Sequence, residues 1–212
     1  MKTLIIISTG RCGTKRISEI LQQKLETKGV AVSHQRPLSR LCNVLGHVMM
    51  LSAQIEWIKE FLFHYQLKNG LNGSVIVDPL TSTCIPDSFV KKKDVHLLHL
   101  YRSNEGFATS MFRLTRRKRS SWIAHNFIPF WQPGLYLLEN ALNRGAEYKY
   151  AMISERKNAF FSERYGSLPN YHKLSRRECF QGDHLSVLIQ KVFNITISLS
   201  EEELKIKSNQ SS

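Results

Sequence analysis

A chain of 212 residues with 30 Lys plus Arg against 17 Asp plus Glu carries a formal charge of +13, a length that suits a single domain. Its 42% hydrophobic residues are spread along the whole length, enough to bury a sizeable core, which excludes general disorder along with collagen-like, low-complexity and disulfide-scaffold chains. The positive charge should attract polyanions, and nucleic acid, an anionic membrane face and a highly phosphorylated small molecule all qualify.

In chain order, Lys2 to Ser8 reads as a buried strand, because Leu4-Ile5-Ile6-Ile7 is a continuous β-favouring run closed by a glycine-containing turn. A helix is expected from Thr14, with Ile17, Ile20, Leu21 and Leu25 on one face and Gly29 as its stop. Val30 to Ser33 is a second short strand. Apolar residues recur at three- and four-residue steps from Leu41 to Leu62, which predicts a long amphipathic helix, or two shorter ones, between Arg40 and Lys68. After the Asn69-Gly70 and Asn72-Gly73 pairs, Ser74 to Val77 forms a third strand ending in Asp78-Pro79. Val95 to Tyr101 is a fourth, followed by a helix through Ser110 and Phe112.

Beyond the Pro- and Trp-containing stretch Ile128 to Gly134, a helix to Asn143 and a strand from Tyr148 to Ile153 are predicted. Asp183 to Phe193 is helical, and Ser200-Glu201-Glu202-Glu203 opens a last short helix with a capping box. Residues 1–207 are expected to form one domain and 208–212 a frayed tail. Alternation of strand and helix implies an α/β domain, a three-layer sandwich around a mainly parallel sheet with right-handed crossovers.

The first apolar run, Leu4 to Ile7, falls far short of a signal h-region or a membrane span. Cys12, Cys42, Cys84 and Cys179 lie far apart with no C-x-x-C pair, so neither a zinc site nor a disulfide framework is expected, and a reducing cytoplasmic compartment fits.

Chemistry concentrates in Ser8-Thr9-Gly10-Arg11-Cys12-Gly13-Thr14-Lys15-Arg16, between the first strand and the first helix. Two glycines let the backbone turn its N–H groups inward and the helix N-terminus adds partial positive charge. Arg11, Thr14, Lys15 and Arg16 supply further donors, so a phosphate is expected there. The segment is not a Walker A loop, which would need a longer gap between the glycines and a Ser or Thr after Lys15. Arg16 in that place argues against a magnesium-dependent ATPase or kinase.

A second segment, Tyr101-Arg102-Ser103-Asn104-Glu105-Gly106-Phe107-Ala108-Thr109-Ser110, places Arg102 at the end of the fourth strand and Ser110 two turns into a helix. The order strand, Thr-Gly-Arg-x-Gly-Thr, helix, then strand, Arg-x7-Ser, resembles the PAPS-dependent sulfotransferase family over roughly the first half of the chain. The resemblance is to its small, divergent bacterial-type members, and it implies the P-loop-related topology of that family.

It further implies that Thr9, Gly10, Arg11, Cys12, Gly13, Thr14 and Lys15, with Arg16 adjacent, bind the 5'-phosphosulfate of 3'-phosphoadenosine 5'-phosphosulfate (PAPS), and that Arg102 and Ser110 hold its 3'-phosphate. A guanidinium can take two phosphate oxygens at once beside a neutral hydroxyl donor. Arg11 stands where many members carry a lysine and, with Lys15, would stabilise the transferring group. The R-K-G-x-x-G loop of the eukaryotic cytosolic enzymes is missing, which leaves the adenine pocket unassigned. The implied reaction moves a planar sulfuryl group in line from PAPS to a hydroxyl or amine, through positioning and charge stabilisation plus a base, with no metal.

For the base, His34 follows the second strand at the carboxyl edge of the sheet and has a suitable ordinary pKa, with Asp78 at the end of the third strand as the alternative. His96 and His99, inside a strand, read as packing residues. Arg113 to Arg119 holds five cations in seven positions and reads as an RNA-binding patch, a nuclear signal or a solvated helix end, or, in a sulfotransferase, as an entry for PAPS or an anionic acceptor. Trp122, Phe127, Phe130 and Trp131 read as core or as an aromatic wall for a carbohydrate or aromatic acceptor. The competing functions are a nucleotide-dependent kinase of related fold and a non-catalytic basic RNA-binding module. The RNA reading lacks any RRM, KH or zinc-finger signature.

Overall fold

The computed structural model describes residues 2–34, 56–68, 74–78, 82, 85–117, 146–181 and 183–199. Its strands are β1 (Thr3–Ser8), β2 (Val32–His34), β3 (Val75–Val77), β4 (Val95–Tyr101) and β5 (Tyr171–Ser175). Among the described residues they form one sheet in the order β2-β3-β1-β4-β5, and every neighbouring pair is parallel. The helices are α1 (Thr14–Leu25), α2 (Glu56–Lys68), α3 (Asp87–Val90), α4 (Asn104–Arg117), α5 (Ala146–Tyr165), α6 (Arg176–Gln181) and α7 (His184–Phe193).

Because successive strand residues point to opposite faces, the apolar run of β1 feeds two cores. Leu4 and Ile6 pack with Ile17, Leu21 and Leu25 of α1, Phe180 of α6 and Leu188 and Ile189 of α7. Ile5 and Ile7 pack with Phe63 of α2, Val90 of α3 and Phe161 and Tyr165 of α5. Helices thus cover both faces of a wholly parallel sheet, the arrangement that demands strands apolar on both sides. Each buried side chain of this size contributes on the order of 1.5–3 kcal/mol. A third cluster joins Phe107, Ala108 and Met111 of α4 to Tyr150 and Ile153 of α5.

Most expected elements occur. Gly29 ends the first helix as anticipated, at φ 76° after a single 3-10 turn Glu26–Lys28. The N–H groups of Gly29 and Val30 donate to the carbonyls of Glu26 and Leu25 at 3.0 and 3.1 Å, a Schellman closure. The second strand is shifted, so His34 is its last residue rather than the one after it.

The strand expected at Tyr148 to Ile153 is incorrect: those residues lie inside α5. Tyr150, Ile153, Ser154, Lys157, Phe161 and Tyr165 are buried at three- and four-residue steps, and that helical period overrides the β-favouring aromatic and apolar composition of the segment. The strand that does complete the sheet, β5, was not expected. It lies at an edge with no fully buried residue, so its sequence Tyr-His-Lys-Leu-Ser has no strong apolar signal. The expectations for residues 40–55, 69–73, 118–143 and 200–212 fall outside the described residues.

The second face carries two polar networks. Arg164 of α5 donates to Glu56 Oε1 of α2 at 3.0 Å and pairs with Asp87 of α3, while buried Lys59 reaches the same Glu56 oxygen at 2.8 Å. These ion pairs join three helices that share no segment of backbone. On β4, His99 is fully buried, with Nδ1 2.6 Å from the Tyr171 hydroxyl and Nε2 3.0 Å from Asn158 Oδ1. It therefore serves as the packing residue its place in a strand suggests. Burial pushes its pKa from 6.5 down to about 4, against the hydrogen bond with Asn158 and aided by Lys173.

This depressed value sets a pH dependence. Between pH 6.5 and about 4 the unfolded imidazole binds a proton that the folded one refuses, so stability is whole above this window and falls as pH drops through it. The expected loss from His99 is about 3 kcal/mol. Urea denaturation of His99→Gln across this window should show a correspondingly shallower acid limb, and an unchanged limb would contradict the assignment.

Candidate functional site

The chain leaves β1 for α1 on one face of the sheet and leaves β4 for α4, which packs on α5, at the other face. β1 and β4 are neighbours, in register from Thr3 opposite Val95 to Ser8 opposite Leu100. Their departing loops therefore open a crevice at the carboxyl edge of the sheet, the place where ligands bind in open parallel folds. Both sequence motifs lie in it.

The turn after β1 is built on left-handed backbone: Gly10 at φ 89°, Arg11 at φ 56° and Gly13 at φ 88°. Arg11 holds a conformation that costs a non-glycine residue roughly 1–2 kcal/mol, a kind of strain that collects at functional sites. The turn is braced from within. Ser8 Oγ accepts from the Gly10 N–H at 3.1 Å, and Cys12 Sγ lies 3.1 Å from the Gly10 carbonyl and 3.6 Å from Thr9 Oγ1. Ser82 joins the turn to the end of β3, accepting from the Ser8 N–H at 3.2 Å and donating to the Asp78 carbonyl at 3.1 Å.

Gly13 caps α1 with no side-chain hydrogen bond, and the first turn holds no acidic residue. It carries Lys15 and Arg16 instead, a charge pattern that opposes the helix dipole unless an anion sits at its end.

The two motifs meet directly. Arg11 Nε donates to Ser110 Oγ at 3.1 Å, across 99 positions of sequence. Arg102 Nη1 reaches the Arg11 carbonyl at 3.4 Å. Burial lowers the Arg102 pKa, and the guanidiniums of Arg176, Arg11 and Arg113 add to the effect against the Cys12 thiol. Arg11, Arg102 and Arg113 make no ion pair among the described residues.

The other expected residues take different roles. Cys12 is wholly buried, and burial raises its thiol pKa, so it offers the turn its backbone rather than a nucleophile. Thr9 and Thr14 are also buried. Lys15 is 82% exposed and leans along α1 to Glu19 at 3.9 Å, with Arg16 beside it at 3.7 Å.

His34 stands opposite Val77 in the parallel register, next to the start of the Asp78 loop. Its Nε2 is buried and has no hydrogen-bond partner among the described residues. Burial lowers its pKa, Lys15 adds to the effect, and Asp78 and Glu19 oppose it, so the ring is neutral and able to accept a proton at pH 7. Both base candidates therefore share one end of the crevice, with Asp78 buried.

Two further residues belong to this edge. Ser82 lies in a stretch with no pattern to mark it. Arg176 directly follows β5, as Arg102 follows β4, and an expectation of β5 would have singled it out. Among the described residues, no group of three or more His, Cys, Asp and Glu could hold a metal ion, and no helix is long and apolar enough to cross a membrane.

The two turn glycines make a test of this construction. A Cβ at Gly13 would lie 3.0 Å from the Phe180 ring as well as at positive φ, whereas one at Gly10 meets nothing within 4 Å. Gly10→Ala should cost about 1 kcal/mol and Gly13→Ala about 2–3 kcal/mol in urea denaturation, and equal costs would show that α6 does not press on the turn. In comparisons with known proteins, no family model, no curated protein and no solved structure matches this chain.

Proposed function

We propose that the protein transfers a sulfuryl group from PAPS to a hydroxyl or amine acceptor, on a domain of the P-loop-related sulfotransferase type. The observation that carries this reading is the meeting of the two motifs, with Arg11 hydrogen-bonded to Ser110 and Arg102 to the Arg11 carbonyl. A bisphosphorylated nucleotide needs two anion sites a short distance apart, and the β1 turn and the Arg102–Ser110 pair are two such sites on one crevice.

The sheet order supports a direction along this crevice. Strands lie about 4.8 Å apart, so a donor phosphosulfate over the β1 turn would extend its 3'-phosphate toward β4. Its sulfuryl group would then face β3 and β2, where Asp78 and His34 stand. In this arrangement Arg11, a permanent cation, stabilises charge on the equatorial or bridging oxygens and donates no proton. Lys15 would have to swing from Glu19 to join it. His34 takes the acceptor proton, being neutral at pH 7, with Asp78 as the alternative. The residue after Lys15 is Arg16, where a magnesium-bound nucleotide would need a hydroxyl, and this weighs against a kinase.

A thermal-shift titration tests the donor. A saturable rise in Tm is expected with 3'-phosphoadenosine 5'-phosphate and not with ADP or ATP, and an equal response to all three would overturn the reading. In calorimetry Arg102→Ala should weaken that nucleotide by about 2–4 kcal/mol. His34→Gln should leave nucleotide affinity intact and lower turnover on the order of 100-fold or more, whereas Asp78→Asn would do so if Asp78 were the base.

A further inference from the structure

β5 adds a feature that neither motif contains. Tyr101 and Ser175 are register partners at the ends of β4 and β5, so Arg102 and Arg176 leave adjacent strands side by side at the carboxyl edge. The local structure holds Arg176 in place: the Ser175 N–H donates to Glu178 Oε2 at 2.6 Å and the Glu178 N–H to Ser175 Oγ at 3.1 Å. This reciprocal box at the start of α6 engages the Glu178 carboxylate with a backbone N–H rather than with Arg176. Phe180, one turn on, lies against Gly13 of the β1 turn, which fixes α6 to the crevice. Arg176 Nε is buried and has no hydrogen-bond partner among the described residues, and Arg176 forms no ion pair among them either. A buried donor without an acceptor is destabilising, and its neighbour Arg102 has the same sign of charge. Such a pair becomes favourable once a dianion lies between its members.

Resting on the PAPS reading above, we infer that Arg176 is a further nucleotide-binding residue, which joins Arg102 and Ser110 on the 3'-phosphate and selects 3'-phosphorylated nucleotides over those that lack this group. Electrostatic coupling agrees, since Arg176 is the strongest charged influence on Arg102 after burial and also acts on Cys12 in the β1 turn. Arg177, the next residue, turns instead to Gln181 at 2.9 Å.

The test uses the full chain and two matched probes, 3'-phosphoadenosine 5'-phosphate and adenosine 5'-phosphate, which differ only in the 3'-phosphate. In calorimetry Arg176→Gln should weaken the bisphosphate about tenfold or more and leave the monophosphate nearly unchanged. Arg176→Lys, which keeps the charge but not the forked donor, should fall between, and it serves as the readout if the Gln variant fails to fold. Equal weakening of both probes would assign Arg176 a structural role, and no change in either would remove it from the site; both overturn the inference while the donor reading stands. A wild-type protein that does not distinguish the two probes would instead overturn the donor reading itself.

Discussion

The parallel pairing of β1 with β4 is the constraint on which the rest depends. β1 hydrogen-bonds to β3 on one side and β4 on the other, and Leu4 to Ile7 are buried on both faces. A one-residue slip of either pairing would send these side chains to the wrong core. The ends of β1 and β4 are therefore fixed relative to one another, and the turn after Ser8 and the loop after Tyr101 have to meet. The contact from Arg11 to Ser110 follows from this register more than from any local preference of either motif.

Around that edge the protein keeps like charges together. Arg176, Arg11 and Arg113 all act on Arg102, and no carboxylate among the described residues pairs with these four arginines. On the second face of the sheet the same chain pairs Lys59 with Glu56, and Arg164 with both Glu56 and Asp87. Carboxylate partners are thus supplied where helices must be joined, and for Lys15 and Arg16 by Glu19, but not for the four arginines, where an anionic ligand would take their place. The Glu56 carboxyl shows the supporting role plainly: burial alone would raise its pKa, but hydrogen bonds from Lys59, the Asp87 N–H and Arg164 bring it below the ordinary value.

Strain and packing at the β1 turn act together. Arg11 at φ 56° places its carbonyl toward Arg102 and its side chain toward Ser110, so one unfavourable backbone conformation supports two contacts across the crevice. Gly13 lets Phe180 approach within contact distance, which brings α6, and with it Arg176, against the same turn. Helix α6 thereby connects the last strand of the sheet to the first loop of the chain.

From the sequence alone, β1, β4, α1, α7 and the parallel α/β class were legible, because long apolar runs and a clear 3.6-residue period state which faces are buried. The β1 turn and the Arg102–Ser110 segment were legible too, since glycines and cations at a strand end have few other uses. Tertiary structure alone decided that residues 148–153 are helical, that the edge strand is Tyr171–Ser175, and that Arg176 stands beside Arg102. The physical reason is the same in each case. A half-exposed edge strand buries too little to leave an apolar signature, and a β-favouring sequence becomes helical when its burial period matches a neighbouring helix. Which lone arginine reaches a crevice depends on the register between strands, a long-range relation that no local run of residues contains.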